Sequence, residues 1–188
     1  ANVAKLTADQ LASLTTAQVS KLTEAQVGAL TASQVQSIET ADLKNLTDSQ
    51  VASLSTAAVK GMLAEQVSSL TAAQVAALTT AQVSALSGTQ VPKLTTAQVN
   101  ALSATQVVGL DTADLAALDS AQLQALSVAA VAALSTAQVA AITTAQVSKL
   151  TAAQVQDVAG RYFGDDALTV ATLFIAGALG VVDLSTFP

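Results

Sequence analysis

Apolar residues recur along this chain at spacings that alternate five and three. Leu6, Leu14, Leu22 and Leu30 open a series with Leu, Ile or Met at every eighth residue that runs to Leu150. Five residues after each comes Val or Leu, from Leu11 to Val155. The series makes 19 octads between Leu6 and Asp157 without insertion or deletion, with the consensus Leu-Thr-x-Ala-Gln-Val-x-x. Such a period marks a repeat architecture, in which stacking of small units supplies the core that no unit has alone.

Eight residues at about 100° each rotate an apolar stripe by about 80° per octad. Over the whole series the stripe would wind around one helix several times, and no partner helix could cover it. A continuous helix or coiled coil is therefore excluded. A β-solenoid stays as the alternative, although the pattern lacks a period of two. Its body also has few turn residues, and Ala, Gln and Leu are poor strand formers.

The remaining reading accounts for each position. Thr at the second place is a helix N-cap, and Thr-x-x-Gln is a capping box, as in Thr15 and Gln18. Leu14 and Val19 then occupy the two positions of a hydrophobic staple. The cap is Ser, Thr or Asp in 17 octads, with Glu39 and Leu63 as exceptions, and Asp111 and Asp119 are acceptable replacements. Gln fills the third helical position in 15 octads, and Asp42 and Asp114 replace it with another acceptor. This Gln either completes the capping box alone or also forms a ladder between stacked repeats; the sequence does not separate the two. Acids fall early in the octad (Asp9, Glu24, Asp48, Glu65) and lysines late (Lys21, Lys44, Lys60, Lys93, Lys149), as the helix dipole favours.

The fold class expected is all-α: a solenoid of capped mini-helices, one per octad, each of about six residues and about 9 Å. Leu, Ala and Val are expected to face inward and the variable positions outward. A helix this short does not stand alone, because nucleation is unfavourable and one cap contributes only about 1 kcal/mol. Two sites break the uniformity. Pro92 removes an amide donor and disfavours helical geometry at Val91, so that helix should end early. Leu63, after Gly61 and Met62, has no capping atom.

Composition narrows the function. Hydrophobic residues make up 52% but aromatics only 2%, so the core must be aliphatic. There is no Cys and no His, which removes disulfides, thiolate chemistry and the commonest general base and metal ligand. A net charge of -6 with a single Arg argues against nucleic-acid binding. The many Ser and Thr are used as caps, and the isolated Gly28, Gly88 and Gly109 form no phosphate loop. The carboxylate pairs Glu39–Asp42 and Asp111–Asp114 sit at cap and third positions, where helix-start electrostatics explains them. No catalytic residue, cofactor site or metal site is expected, and the chain is read as not an enzyme.

The chain divides at residue 157, with the octad solenoid over 1–157 and a distinct segment over 158–188. The segment holds every aromatic residue and the only arginine, Arg161. Residues 167–182 form a stretch of 16 uncharged, mostly apolar residues. It is read as a cap on the end of the solenoid, or as a self-association surface through Tyr162, Phe163, Leu173, Phe174, Ile175 and Phe187. A membrane contact through 167–182 is a third reading, but the stretch is shorter than the roughly 20 residues a spanning helix needs. Asp165, Asp166 and Asp183 match no calcium loop and read as solvated turn residues. Ala1 to Lys5 carries one positive charge and no apolar stretch, so no signal peptide is expected there.

The Leu-Thr-x-Ala-Gln-Val octads resemble the short repeats of large bacterial secreted or cell-surface proteins, over residues 6–157. The resemblance implies an extended structural region outside the cell or at its surface, and it transfers no catalytic residue. The function expected is structural: a rigid spacer, or a self-assembling fibre or surface-layer subunit whose partner is itself or a larger cell-surface assembly. The alternative is a binding module that presents a regular solenoid face to a protein or to an ice or crystal surface. The outward positions lack the aromatic and Arg anchors of binding hot spots.

Overall fold

A computed structural model describes residues 3–158 and residue 160. Among the described residues there is no strand, and the chain is a succession of short helices, one in nearly every octad. The α-helices up to Val147 range from four residues, as in Thr16–Val19, to six, as in Thr96–Ala101. The all-α solenoid is the fold, and the β-solenoid alternative falls.

Each helix starts where the octad places its cap. In the octad of Leu70, Thr71 is extended, with φ -70° and ψ 157°, and its side chain accepts from the Gln74 amide. The Gln74 side chain in turn accepts from the Thr71 amide at 2.8 Å. The helix ends within the octad because the next Leu leaves helical geometry. Leu78 has φ -61° and ψ 142°, and its amide still reaches back to the Val75 carbonyl at 3.2 Å. Two consecutive extended residues, Leu then Thr, thus turn the chain between helices. Their dihedrals are open to any L-residue, so the linkers need no glycine.

Successive helices close a coil after three octads. The helix Ala8–Ala12 packs on Ala32–Gln36, Asp48–Ala52 on Ala72–Ala77, and Ala72–Ala77 on Thr96–Ala101. In each pair the second helix begins three octads after the first. The solenoid is therefore three-sided, with one mini-helix per side.

The core is a narrow aliphatic column. The Leu and the Val of each octad line it, from Val35 and Ile38 through Leu126 and Val131, nearly all below a tenth exposed. Coils also approach closely through small residues. A Cβ on Gly61 would lie 2.4 Å from the Cβ of Ala32 on the neighbouring coil, and one on Gly28 would lie 2.8 Å from the Ser53 carbonyl oxygen.

Three expectations are corrected or sharpened. The consensus alanine does not face inward: Ala17, Ala25, Ala41, Ala57 and Ala73 are exposed, while from Gln34 onward the consensus glutamine is buried. Alanine at that place serves helix propensity on the surface. In the octad of Pro92 no α-helix forms at all. A turn leads into a single 3-10 turn at Val91–Lys93, although Val91 is still buried. At Leu63 the cap has only its glutamine half: the Leu63 amide donates to Gln66 Oε1 at 2.9 Å, and the leucine offers no acceptor.

Candidate functional site

The polar feature that runs the length of the solenoid is the glutamine at the third helical position. Its Oε1 faces its own helix start and accepts the cap amide, as from Thr95 to Gln98 at 2.7 Å. Its Nε2 points the other way, across the coil boundary. Gln98 Nε2 donates to the Val67 carbonyl at 2.9 Å and to the Leu70 carbonyl at 2.7 Å, 31 and 28 residues earlier. Gln66, Gln74, Gln90, Gln106, Gln138 and Gln146 make the same pair of bonds to the coil before them. Gln50 donates to the Ser20 and Leu22 carbonyls.

The carbonyls it meets are those the repeat leaves over. The Leu carbonyl belongs to the extended linker and has no helical partner. The Val carbonyl accepts one bond from the next Leu amide and has a second lone pair free. One amide thus satisfies a helix start in its own octad and a linker in the coil behind. Gln98 is only 1% exposed, so these bonds form out of reach of water. A typical bond contributes about 0.5–1.5 kcal/mol net, and an unmade buried one costs about 1–3 kcal/mol. No buried side-chain nitrogen or oxygen among the described residues lacks a partner. Both roles left open for this residue are thus filled by one side chain.

The structure brings together one of the two carboxylate pairs. The Asp114 amide donates to Asp111 Oδ1 at 2.7 Å, so Asp111 is a true cap. Glu39 makes no side-chain cap bond. Asp114 takes the buried glutamine position. Burial pushes its carboxyl above the usual value of 3.8, and the negative charge of Asp111 adds to this. Asp42 is buried in the same way on an earlier coil. Among the described residues no group of three or more His, Cys, Asp or Glu is placed to hold a metal. Among the same residues no helix is long and apolar enough to cross a membrane.

Tyr162, Phe163, Leu173, Phe174, Ile175 and Phe187 lie outside the described residues, as do the apolar stretch 167–182 and Asp165, Asp166 and Asp183. Sequence reasoning missed further polar bonds between coils at variable positions. Gln36 Nε2 donates to the Gly61 carbonyl at 2.6 Å, Asn100 Nδ2 to Ala125 at 2.8 Å, and Ser53 Oγ to Glu24 at 2.9 Å. No signal in a single octad marks them, because each depends on which residues lie three octads apart.

No curated protein and no solved structure matches the chain. The model of the ALTTAQ repeat matches it in six overlapping stretches, residues 3–37, 35–72, 68–96, 75–112, 107–144 and 115–152. These tile nearly the whole solenoid, and the chain belongs to the ALTTAQ repeat family.

Proposed function

We propose that the chain is a structural element, a stiff spacer that holds what flanks it at a fixed distance, and that it has no catalytic role. The observation that carries this reading is the glutamine ladder. Each interior rung binds one coil to the coil before it through buried bonds, and among the described residues no fully buried side-chain nitrogen or oxygen is left without a partner. Stability of such an array is a sum of units and their neighbour contacts, so length can be added without a new fold. The resemblance to repeats of bacterial secreted and cell-surface proteins favours a place outside the cell or at its surface.

The composition of 158–188 favours a second reading, a subunit that joins end to end through this apolar, aromatic-bearing segment. Negative-stain electron microscopy across a concentration series tests both. Isolated rods of constant width at every concentration are expected of a spacer, and compact globular particles would end that reading. Filaments that lengthen with concentration would establish the assembly reading, provided a chain ending at Gln156 fails to form them.

A further inference from the structure

Any three successive octads close one coil, so three ladder positions cross each coil boundary. At positions 66, 74 and 82 all three are glutamine, each seated on a linker carbonyl of the coil behind, at Ile38, Leu46 and Leu54. The same holds at 90, 98 and 106, and at 138, 146 and 154. Two boundaries differ. At one the positions are Asp42, Gln50 and Ala58; at the other they are Asp114, Gln122 and Ala130. Only the middle residue of each set forms a rung, Gln50 to Leu22 and Gln122 to Leu94. An ionised aspartate has no hydrogen to donate and an alanine has no polar atom. The carbonyls of Leu14, Leu30, Leu86 and Leu102 are those the missing rungs would meet.

The two exceptions are placed alike. Asp42 and Asp114 stand nine octads apart, and so do Ala58 and Ala130. At three octads to a coil, that is three whole coils, so each substitution recurs on the same side of the solenoid. The other side-chain bonds across these boundaries are at the surface. Gln36 to Gly61 and Ser53 to Glu24 span the first, and Asn100 to Ala125 spans the second, all at exposed sites. Water competes for such bonds, so they replace little of what a buried rung contributes. The second boundary has a further weakness behind it, since the octad facing Asp114 is the one in which Gly88 and Pro92 replace the helix by turns.

We infer that the solenoid is jointed, with two weak seams, between residues 14–37 and 38–61 and between 86–109 and 110–133, at which neighbouring coils part before the fully runged coils do. A coil that loses its neighbour exposes one face of helices too short to stand alone, so opening at a seam frees their amides. The joints make the rod yield at set places three coils apart under bending or pulling, rather than anywhere along its length.

Native-state hydrogen exchange of the full chain, read by mass spectrometry, tests this directly and does not depend on the spacer reading. Two missing rungs make opening at the seam easier by of the order of ten-fold in exchange. Residues 110–133 are therefore expected to exchange about ten-fold faster than residues 62–85, or faster still. The double variant Asp114→Gln, Ala130→Gln should bring them to the interior rate. The reciprocal variant Gln66→Asp, Gln82→Ala needs no new space in the column, and it should raise exchange in 62–85 about ten-fold. A profile that rises smoothly towards the ends, with no step at 110, overturns the inference. So does a reciprocal variant whose interior exchange is unchanged.

Discussion

Glutamine at the third helical position can be replaced without loss of the helix start, and at Ala58, Asp114 and Ala130 the cap hydroxyl or carboxylate still holds the amide. Asp111 does this for Asp114 at 2.7 Å. What the replacement loses is the donor that faces the preceding coil. At Asp114 the loss is compounded by charge. Its carboxyl is buried, and both desolvation and the nearby Asp111 raise its pKa above 3.8. The sign of the consequence follows from linkage. A carboxyl whose folded-state pKa is raised contributes stability in full below its unfolded value, and that contribution is lost as pH rises through the folded value. The neutral amide of an Asp114→Asn variant escapes the loss. Urea unfolding of the two proteins from about pH 3 to about pH 7 should show the variant gaining on the parent as pH rises. A difference that stays constant across this range would remove the burial account of Asp114. The burial of the glutamine was not legible from its type, since polar residues are mostly exposed. Its recurrence in the octad was the only hint, and recurrence fits a capping box as well as a ladder.

The helix itself was the most legible element. Thr, Gln, Leu and Val stand at the four places a capping box and staple require, and the structure starts a helix at each such set. The local chemistry acts within a single helical turn, and it falls short only where Pro92 follows the box of Ser87 and Gln90 and a 3-10 turn forms instead. How the helices turn on one another was not legible. That angle is set by the extended dihedrals of the Leu and Thr linkers, which the residue types permit without dictating. The orientation of alanine was misjudged for the same reason: without the turn angle, the buried side of so short a helix is undefined. Leu63 tests the capping account where it is incomplete. It is the N-cap of Ala64–Ser69, its backbone is extended as a cap requires, and its side chain is 48% exposed, so it contributes little to the core. Leu63→Thr should complete the box with Gln66 and raise stability by about 1 kcal/mol. Thermal unfolding checks this, and a melting temperature equal to the parent's or lower would show that the glutamine half of the box already supplies all the stabilisation available there.

At the scale of the molecule, the octad and the coil are separate periods, and the fold depends on both being kept in phase. A ladder bond spans 28 residues because three octads bring the chain around and the linker carbonyl lies half an octad before the glutamine of its own repeat. Removing three whole octads preserves this relation at every remaining position. Deleting residues 62–85 does so, and it joins Gly61 to Leu86, the start of another octad. Gln90 then faces the Ile38 carbonyl that Gln66 had met, and the rungs above follow in step. Deleting residues 62–81 stops half an octad short and joins Gly61 to Gln82. Leu and Val after the join are then shifted off the column, and the glutamines miss the linkers below. The longer deletion is accordingly the milder one. It should keep the helix signal per residue in circular dichroism and shorten the maximum dimension in small-angle X-ray scattering by one coil. The shorter deletion should lose helix signal and broaden the unfolding transition, because coils on the two sides of the join no longer support each other. Were both deletions to unfold alike, neighbouring coils would not be held in register by the ladder, and the stiffness proposed for the rod would have no structural basis.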